Sequence, residues 1–122
     1  MEKYNDKKIC KGLLFIKSMM SENNLNAKKE HDLAQALKVG VVCKQVAIDD
    51  GASLSVDRLQ MRQLLELLET TAYEVLVVED AYDLTRDPED LRKIIDRINS
   101  FGVIVFELKT MSARFNNYAV EC

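Results

Sequence analysis

The side chains best suited to chemistry fall in three short polar segments, residues 17–24, 49–58 and 80–87. Together these segments supply serine hydroxyls, lysine and arginine cations, and carboxylates. A serine hydroxyl serves as a nucleophile when a neighbouring group activates it, and a guanidinium group binds two oxygens of an oxyanion at once. Such residues, gathered at one place, are suited to chemistry on an oxyanion.

The elements around these segments explain how they would meet. Apolar strands alternate with helices in the order β-α-β-α-β-α-β, which predicts right-handed crossovers and an α/β fold. We expect three layers (αβα), with a mainly parallel sheet of four to five strands. Each polar segment directly follows one of the first three strands. Since ligands of such sheets lie beyond the carboxyl ends of the strands, the three segments are expected to converge there.

Hydrophobic periodicity and capping residues place the individual elements. The predicted strands are 9–16, 41–48, 74–79 and 103–108. The first helix is predicted over 27–39, with Asn26 as its cap and with Leu33, Ala34 and Leu37 on its buried face. Two further helices follow Asp57 and the pair Asp87-Pro88. Lys28 and Lys29 are expected on a solvated helix face.

Composition limits the classes of protein to which the chain can belong. Its 122 residues predict one domain over 1–122, and a net charge of −3 excludes a strongly basic nucleic-acid binder. No apolar run reaches the roughly 18 residues of a membrane span, so no membrane partner is expected. Three cysteines without a Cys-x-x-Cys pair predict a cytoplasmic protein with reduced thiols. With one histidine, we expect no metal and no cofactor.

The second and third segments carry the most informative patterns. Residues 50–58 fit Asp-x-Ala-Ser-x-Ser-x-Asp-Arg and precede a helix. In the third segment, the apolar residues 75–78 lead to Tyr82-Asp83-Leu84-Thr85-Arg86 and a further helix. In their order and spacing, both patterns resemble the catalytic domain of serine recombinases, the resolvase/invertase family. The resemblance extends over about residues 11–108.

The resemblance implies a reaction and a set of site residues. In this family a serine attacks a DNA phosphodiester, forms a phosphoserine link and later passes the strand to a new partner. Arginines surround the phosphate, because the transition state spreads negative charge over its oxygens. Ser53, Arg58 and Arg86 stand at positions that match the family, and Lys17 is expected to face the same pocket.

The first segment departs from the family at the nucleophile. The family pattern is an aromatic residue, a spacer, arginine, a spacer and the serine, whereas this chain has Phe15-Ile16-Lys17-Ser18-Met19. Met19 therefore occupies the serine position, where a thioether cannot attack a phosphate. Ser18 and Ser21 are the alternative nucleophiles, but each requires a shifted register that no longer places the lysine at the arginine position.

The third segment departs from the family as well. Where the family has an Asp-Arg pair, this chain has Tyr82-Asp83, so a carboxylate replaces a phosphate-binding arginine. Two unit charges about 4 Å apart interact by roughly 4 kcal/mol at an effective dielectric constant of about 20. Arg86 has a competing interpretation, an ordinary surface ion pair with Asp83 or Asp87. We therefore expect DNA strand cleavage to be absent or very weak.

Two classes of function remain open at this point. One is a site-specific recombinase domain, active only if Ser18 or Ser21 serves as the nucleophile; the other is a non-catalytic interaction or regulatory module. DNA binding by this chain alone is expected to be weak, and the expected protein partners are a second copy or an active recombinase. Residues 109–122 would begin a truncated C-terminal helix. A receiver-domain interpretation, with Glu79-Asp80 holding magnesium, lacks the acidic pair that should follow the first strand.

Overall fold

The computed structural model describes residues 9–17, 21–49 and 59–114. The five strands are β1 (Cys10–Lys17), β2 (Val41–Asp49), β3 (Val75–Val78), β4 (Ile104–Glu107) and β5 (Ser112–Arg114). The three α-helices are α1 (Glu22–Lys38), α2 (Leu59–Thr70) and α3 (Pro88–Ser100). A single 3₁₀ turn, Ala81–Asp83, lies between β3 and α3. The strands and helices therefore alternate as the hydrophobic pattern predicts.

The strands form one sheet in the order β2-β1-β3-β4-β5. The first four strands are parallel, and β5 is antiparallel to β4. This confirms the predicted α/β fold with a mainly parallel sheet. The expected helix at 109–122 is wrong for residues 112–114, because these residues pair with β4 as a fifth strand. Residues 115–122 lie outside the described residues.

Alternating side chains of β1 pack on opposite faces of the sheet, as the period of a strand requires. Leu13 and Phe15 belong to the core under α2 and α3, whereas Leu14 and Ile16 belong to the core under α1. All four side chains are at most 1 % exposed. The sheet is thus covered by helices on both faces, which is the three-layer arrangement that the sequence predicts and that directs the polar residues to the strand ends.

Two features of α1 differ from the prediction. The helix begins five residues earlier than predicted, because Ser21 rather than Asn26 caps it. Of the residues predicted on its apolar face, Leu33 packs against the core, whereas Leu37 is 43 % exposed and Asp32 and Ala36 are buried instead. The start of α3 is as predicted, with Asp87 as the cap and proline in the first turn.

Gly12 permits the close packing of β1 between its neighbouring strands. A Cβ at this position would lie 2.5 Å from Cγ1 of Val41 and 3.3 Å from the carbonyl oxygen of Val75. The first distance is far inside van der Waals contact, so any larger residue would push β2 away. The register between β1 and β2 also shifts directly after Gly12.

Two expectations from the sequence concern the redox state of the cysteines and the lack of a membrane span. Cys10 is disulfide-bonded, so the expectation that all three thiols are reduced is wrong for this residue. Cys43 is a free, half-buried thiol, and burial raises its pKa to about 11. Among the helices of the described segments, none combines the length and the apolarity that crossing a membrane requires.

Candidate functional site

The carboxyl ends of β1, β2 and β3 lie side by side, as the sequence predicts for the three polar segments. Lys17 is the last residue of β1 and stands opposite Asp49, the last residue of β2. Phe15 of β1 pairs with Val78, the last residue of β3. Ser18, Met19, Ser53 and Arg58 lie outside the described residues, so their predicted roles remain predictions.

Ser21 has a structural role that accounts for its position. It precedes α1 with extended backbone angles, and its hydroxyl oxygen accepts a hydrogen bond from the backbone N–H of Asn24 at 3.5 Å. This contact satisfies one of the free N–H groups in the first turn of the helix. Its hydroxyl oxygen is thus directed at the helix backbone. This capping contact explains a serine at this position without a catalytic role.

The turn after β3 brings carboxylates to the strand ends. The side chain of Asp80 accepts from the N–H of Tyr82 at 2.9 Å, and the N–H of Asp80 donates to the carboxylate of Asp83 at 3.4 Å. This reciprocal pair of contacts is a capping box, which fixes the turn. The tight turn follows from the spacing of the two aspartates, and it directs the Asp83 carboxyl back towards the end of β3.

Asp83 is the residue that the sequence analysis predicts in place of a phosphate-binding arginine of the family pattern. Burial raises the pKa of its carboxyl, and the charge of Asp80 adds to this effect. The N–H of Asp80 lowers the pKa in part, as do the positive charges of Lys28 and Lys17. A half-buried carboxyl therefore lies in the electrostatic field of both lysines at the position where the family would hold a cation.

Arg86 lies three residues beyond the turn and is exposed. Together with Asp80, Tyr82 and Asp83 it lines an open cleft of about 340 Å³. Among the described residues no ion pair joins Arg86 to Asp83 or Asp87, and the part of Arg86 in a phosphate site stays a prediction. The cleft thus offers one guanidinium group beside two carboxylates.

Lys28 is a site residue that the sequence prediction missed, since it was assigned to a solvated face. Its side chain is only 21 % exposed, and its ammonium lies 3.1 Å from Oδ2 of Asp32 and 3.3 Å from Oε1 of Glu79. It thereby joins α1 to the end of β3. The spacing of four residues between Lys28 and Asp32 on a predicted helix was the available signal, but nothing in the sequence indicated Glu79.

The pKa values of Lys28 and Asp32 both shift where one buried carboxylate and one exposed carboxylate contact the same ammonium group. Although burial lowers the pKa of Lys28, the two carboxylates beside it raise the pKa overall. Burial raises the pKa of Asp32, and the ammonium of Lys28 only partly offsets this effect. The side chain of Asp32 is 1 % exposed, and among the described residues its oxygens have no partner besides the ammonium of Lys28. The ammonium is thus firmly held, whereas the buried carboxylate is poorly satisfied.

Glu107 at the end of β4 is a second residue that the sequence prediction missed. Its buried carboxylate accepts a hydrogen bond from the backbone N–H of Ala81 at 2.7 Å and another from the hydroxyl of Thr110 at 2.8 Å. Beside it, Lys109 lies 3.3 Å from Asp80. These contacts attach the turn after β3 to the end of β4. Glu107 therefore supports the backbone that carries Asp83 and Arg86.

In the described part of the site, most cations lie beside carboxylates of the protein itself. Lys28 and Lys109 each contact carboxylates, and Asp83 lies in the field of Lys17. Across residues 9–17, 21–49 and 59–114, no group of three or more acidic, histidine or cysteine side chains is placed to hold a metal ion. The arrangement contrasts with a preorganised phosphate site, which requires positive charge directed at the ligand.

Comparison with known proteins agrees with the fold. The solved structures similar to this chain include the N-terminal catalytic domain of TP901-1 integrase, with a TM-score of 0.67 and 17 % identity over 84 % of this chain and 80 % of that one. A resolvase family site-specific recombinase from Streptococcus pneumoniae has a TM-score of 0.65 and 16 % identity over 87 % and 76 %.

The C-terminal catalytic domain of ISC1926 TnpA, an IS607-like serine recombinase, has a TM-score of 0.65 and 18 % identity over 80 % of this chain and 69 % of that one. No curated protein matches the chain in sequence. The family model described as the resolvase N-terminal domain matches residues 18–119, which is most of the chain. The chain therefore belongs to the resolvase N-terminal domain family.

Proposed function

We propose that this chain is a recombinase-family domain that no longer cleaves DNA. The reaction of the family requires a serine at the position that Met19 occupies in the register set by Phe15 and Lys17. A thioether has no proton to lose and forms no stable phosphoester, so it cannot replace that serine. Ser18 and Ser21 are the alternative nucleophiles, and the capping contact of Ser21 argues against the second.

The observation that carries the proposal is the environment of Asp83. This carboxyl stands in place of an arginine and lies in the field of Lys17 and Lys28. A DNA phosphate entering the site would meet a negative charge where the family supplies a positive one. Loss of an attraction and gain of a repulsion act in the same direction, so phosphate binding and transition-state stabilisation should both be weakened.

The test is a search for a covalent protein–DNA adduct on supercoiled and nicked plasmid DNA. We expect no adduct with the wild-type chain or with the Ser18→Ala and Ser21→Ala variants. An active recombinase catalytic domain, treated in parallel, controls for the trapping conditions. A phosphoserine adduct that forms with the wild-type chain and disappears in either alanine variant would show that the chain is an active enzyme.

Self-association or pairing with an active recombinase is the function that such a domain would retain. The apolar framework supports this proposal, since the cores on both faces of the sheet are complete although the site has lost family residues. Light scattering across a concentration series measures the homodimer directly. A mass that stays monomeric at every concentration, without a mixed species when an active recombinase is added, would contradict this part of the proposal.

A further inference from the structure

An open groove of about 500 Å³ lies between α2 and α3, the two helices that cover one face of the sheet. Apolar side chains of both helices line its floor, namely Met61, Leu65 and Ile94. Charged side chains line its rims, among them Glu66 and Glu69 on α2 and Lys93 and Arg97 on α3. An apolar floor between charged rims is an arrangement found in protein–protein interfaces.

The two helices beside this α2–α3 groove run in the same direction. Helix α2 connects β2 to β3, helix α3 connects β3 to β4, and these strands are parallel. Each helix therefore begins at the carboxyl edge of the sheet and returns to its amino edge. Counted from the helix starts, Glu66 lies near the level of Lys93, and Glu69 lies near the level of Arg97.

The two rims of the groove carry opposite charges at each level. In the later turns, α2 presents the two glutamates and α3 presents the lysine and the arginine. These four side chains are exposed, and no ion pair among residues 9–17, 21–49 and 59–114 involves them. Nearer the helix starts both signs are reversed, since Arg62 lies on α2 and Asp90 lies on α3. The charge order along one rim is therefore the complement of the order along the other.

We propose that the α2–α3 groove is the surface on which two copies of this chain associate. A twofold axis parallel to the helices places α2 of one copy over α3 of the other, with both helices running in the same direction. Each acidic rim then faces a basic rim, and each complementary pair of rims occurs twice in the dimer. Because such an interface is isologous, it closes after two copies.

The balance of charges argues for a second copy as the occupant. The rims carry three cations and three anions. A DNA backbone or a peptide of one sign would meet like charges as often as opposite ones, whereas a second copy meets an opposite charge at every level. The inference rests on the proposed function and deepens it, because self-association is proposed there and its surface is assigned here.

The experiment is sedimentation velocity of the full chain over a concentration series at low ionic strength. The variants Lys93→Glu/Arg97→Glu and Glu66→Lys/Glu69→Lys each place like charges opposite one another in the homodimer. We expect each variant to dimerise at least about tenfold more weakly than wild type, which corresponds to about 1.4 kcal/mol. An equimolar mixture of the two variants restores every opposite pair, so it should dimerise within about threefold of wild type.

The matched control is Lys29→Glu/Lys38→Glu, which makes the same change of charge on α1, at the other face of the sheet. We expect this control to dimerise as wild type does, and circular dichroism checks that each variant is folded. A second measurement needs no variant, because high ionic strength should weaken the wild-type dimer by screening the charged rims.

The outcomes separate this inference from the function on which it rests. A wild-type dimer that both charge-reversed variants form equally well, or that their mixture fails to restore, would overturn the inference and leave self-association to another surface. A wild-type chain that stays monomeric at every concentration would overturn the inference together with the proposed self-association. A mixed species with an active recombinase that is lost in Lys93→Glu/Arg97→Glu would then assign the groove to that partner instead of a second copy.

Discussion

Replacement of Glu107 is expected to weaken the turn that carries the altered family motif. The carboxylate is 3 % exposed and accepts two hydrogen bonds, from the N–H of Ala81 and from the hydroxyl of Thr110. Hydrogen bonds to a charged group contribute roughly 1.5–3 kcal/mol each. Two such bonds together contribute roughly 3–6 kcal/mol. Since removing a buried charge also removes its desolvation cost, we expect Glu107→Ala to lower the free energy of unfolding by about 3 kcal/mol, the low end of this sum.

Urea denaturation followed by circular dichroism measures this loss. Glu107→Gln keeps the shape and one carbonyl acceptor, so we expect about half of the effect of alanine. Glu66→Ala, an exposed position on α2, is the matched control and should stay within about 0.5 kcal/mol of wild type. Amide exchange at Ala81 provides a local measurement, because its N–H loses its acceptor. A stability change under about 0.5 kcal/mol for Glu107→Ala, with Ala81 still protected, would refute the reasoning.

Two further predictions concern α1. Ser21→Ala should lower the free energy of unfolding by about 1 kcal/mol. Ser21→Asp should restore most of this loss, because an aspartate also caps a helix. Equal stability of the three proteins would contradict the assigned cap. Asp32→Asn should alter the pH dependence of stability. The folded-state pKa of Asp32 is raised above its usual 3.8, so its contribution is present below that pH and is lost as pH rises through the raised value. The variant should therefore gain stability relative to wild type between about pH 3.5 and pH 7 in urea titrations; a constant difference would contradict this prediction.

The alternation of strands and helices was predictable because each element carries its own periodicity. The continuous apolar run at 75–78 is typical of a strand covered on both faces, and Asp87-Pro88 is typical of a helix start. Parallel crossovers then require the three polar segments to lie at one edge of the sheet. Local pattern and chain connectivity were therefore sufficient for the fold, and they predict where the site lies.

The start of α1 shows where local reasoning failed. Both Ser21 and Asn26 are good caps, and the sequence offers no way to rank them. In the structure the helix begins after the earlier of the two, Ser21, and only the folded chain shows which residue is the cap. Similarly, β5 has only three residues, and its pairing with β4 rather than any propensity makes it a strand.

The sequence by itself determined the fold and the family, and it predicts departures from the family motifs at Met19 and Asp83. Only the tertiary structure decided how the charges near the site are paired. Lys28 lies 51 residues from Glu79 in the chain, and Glu107 lies 26 residues from Ala81. Such contacts depend on the register of neighbouring strands and on the packing of a helix across them, which periodicity cannot specify. That is why a lysine expected in solvent is a partner of two carboxylates.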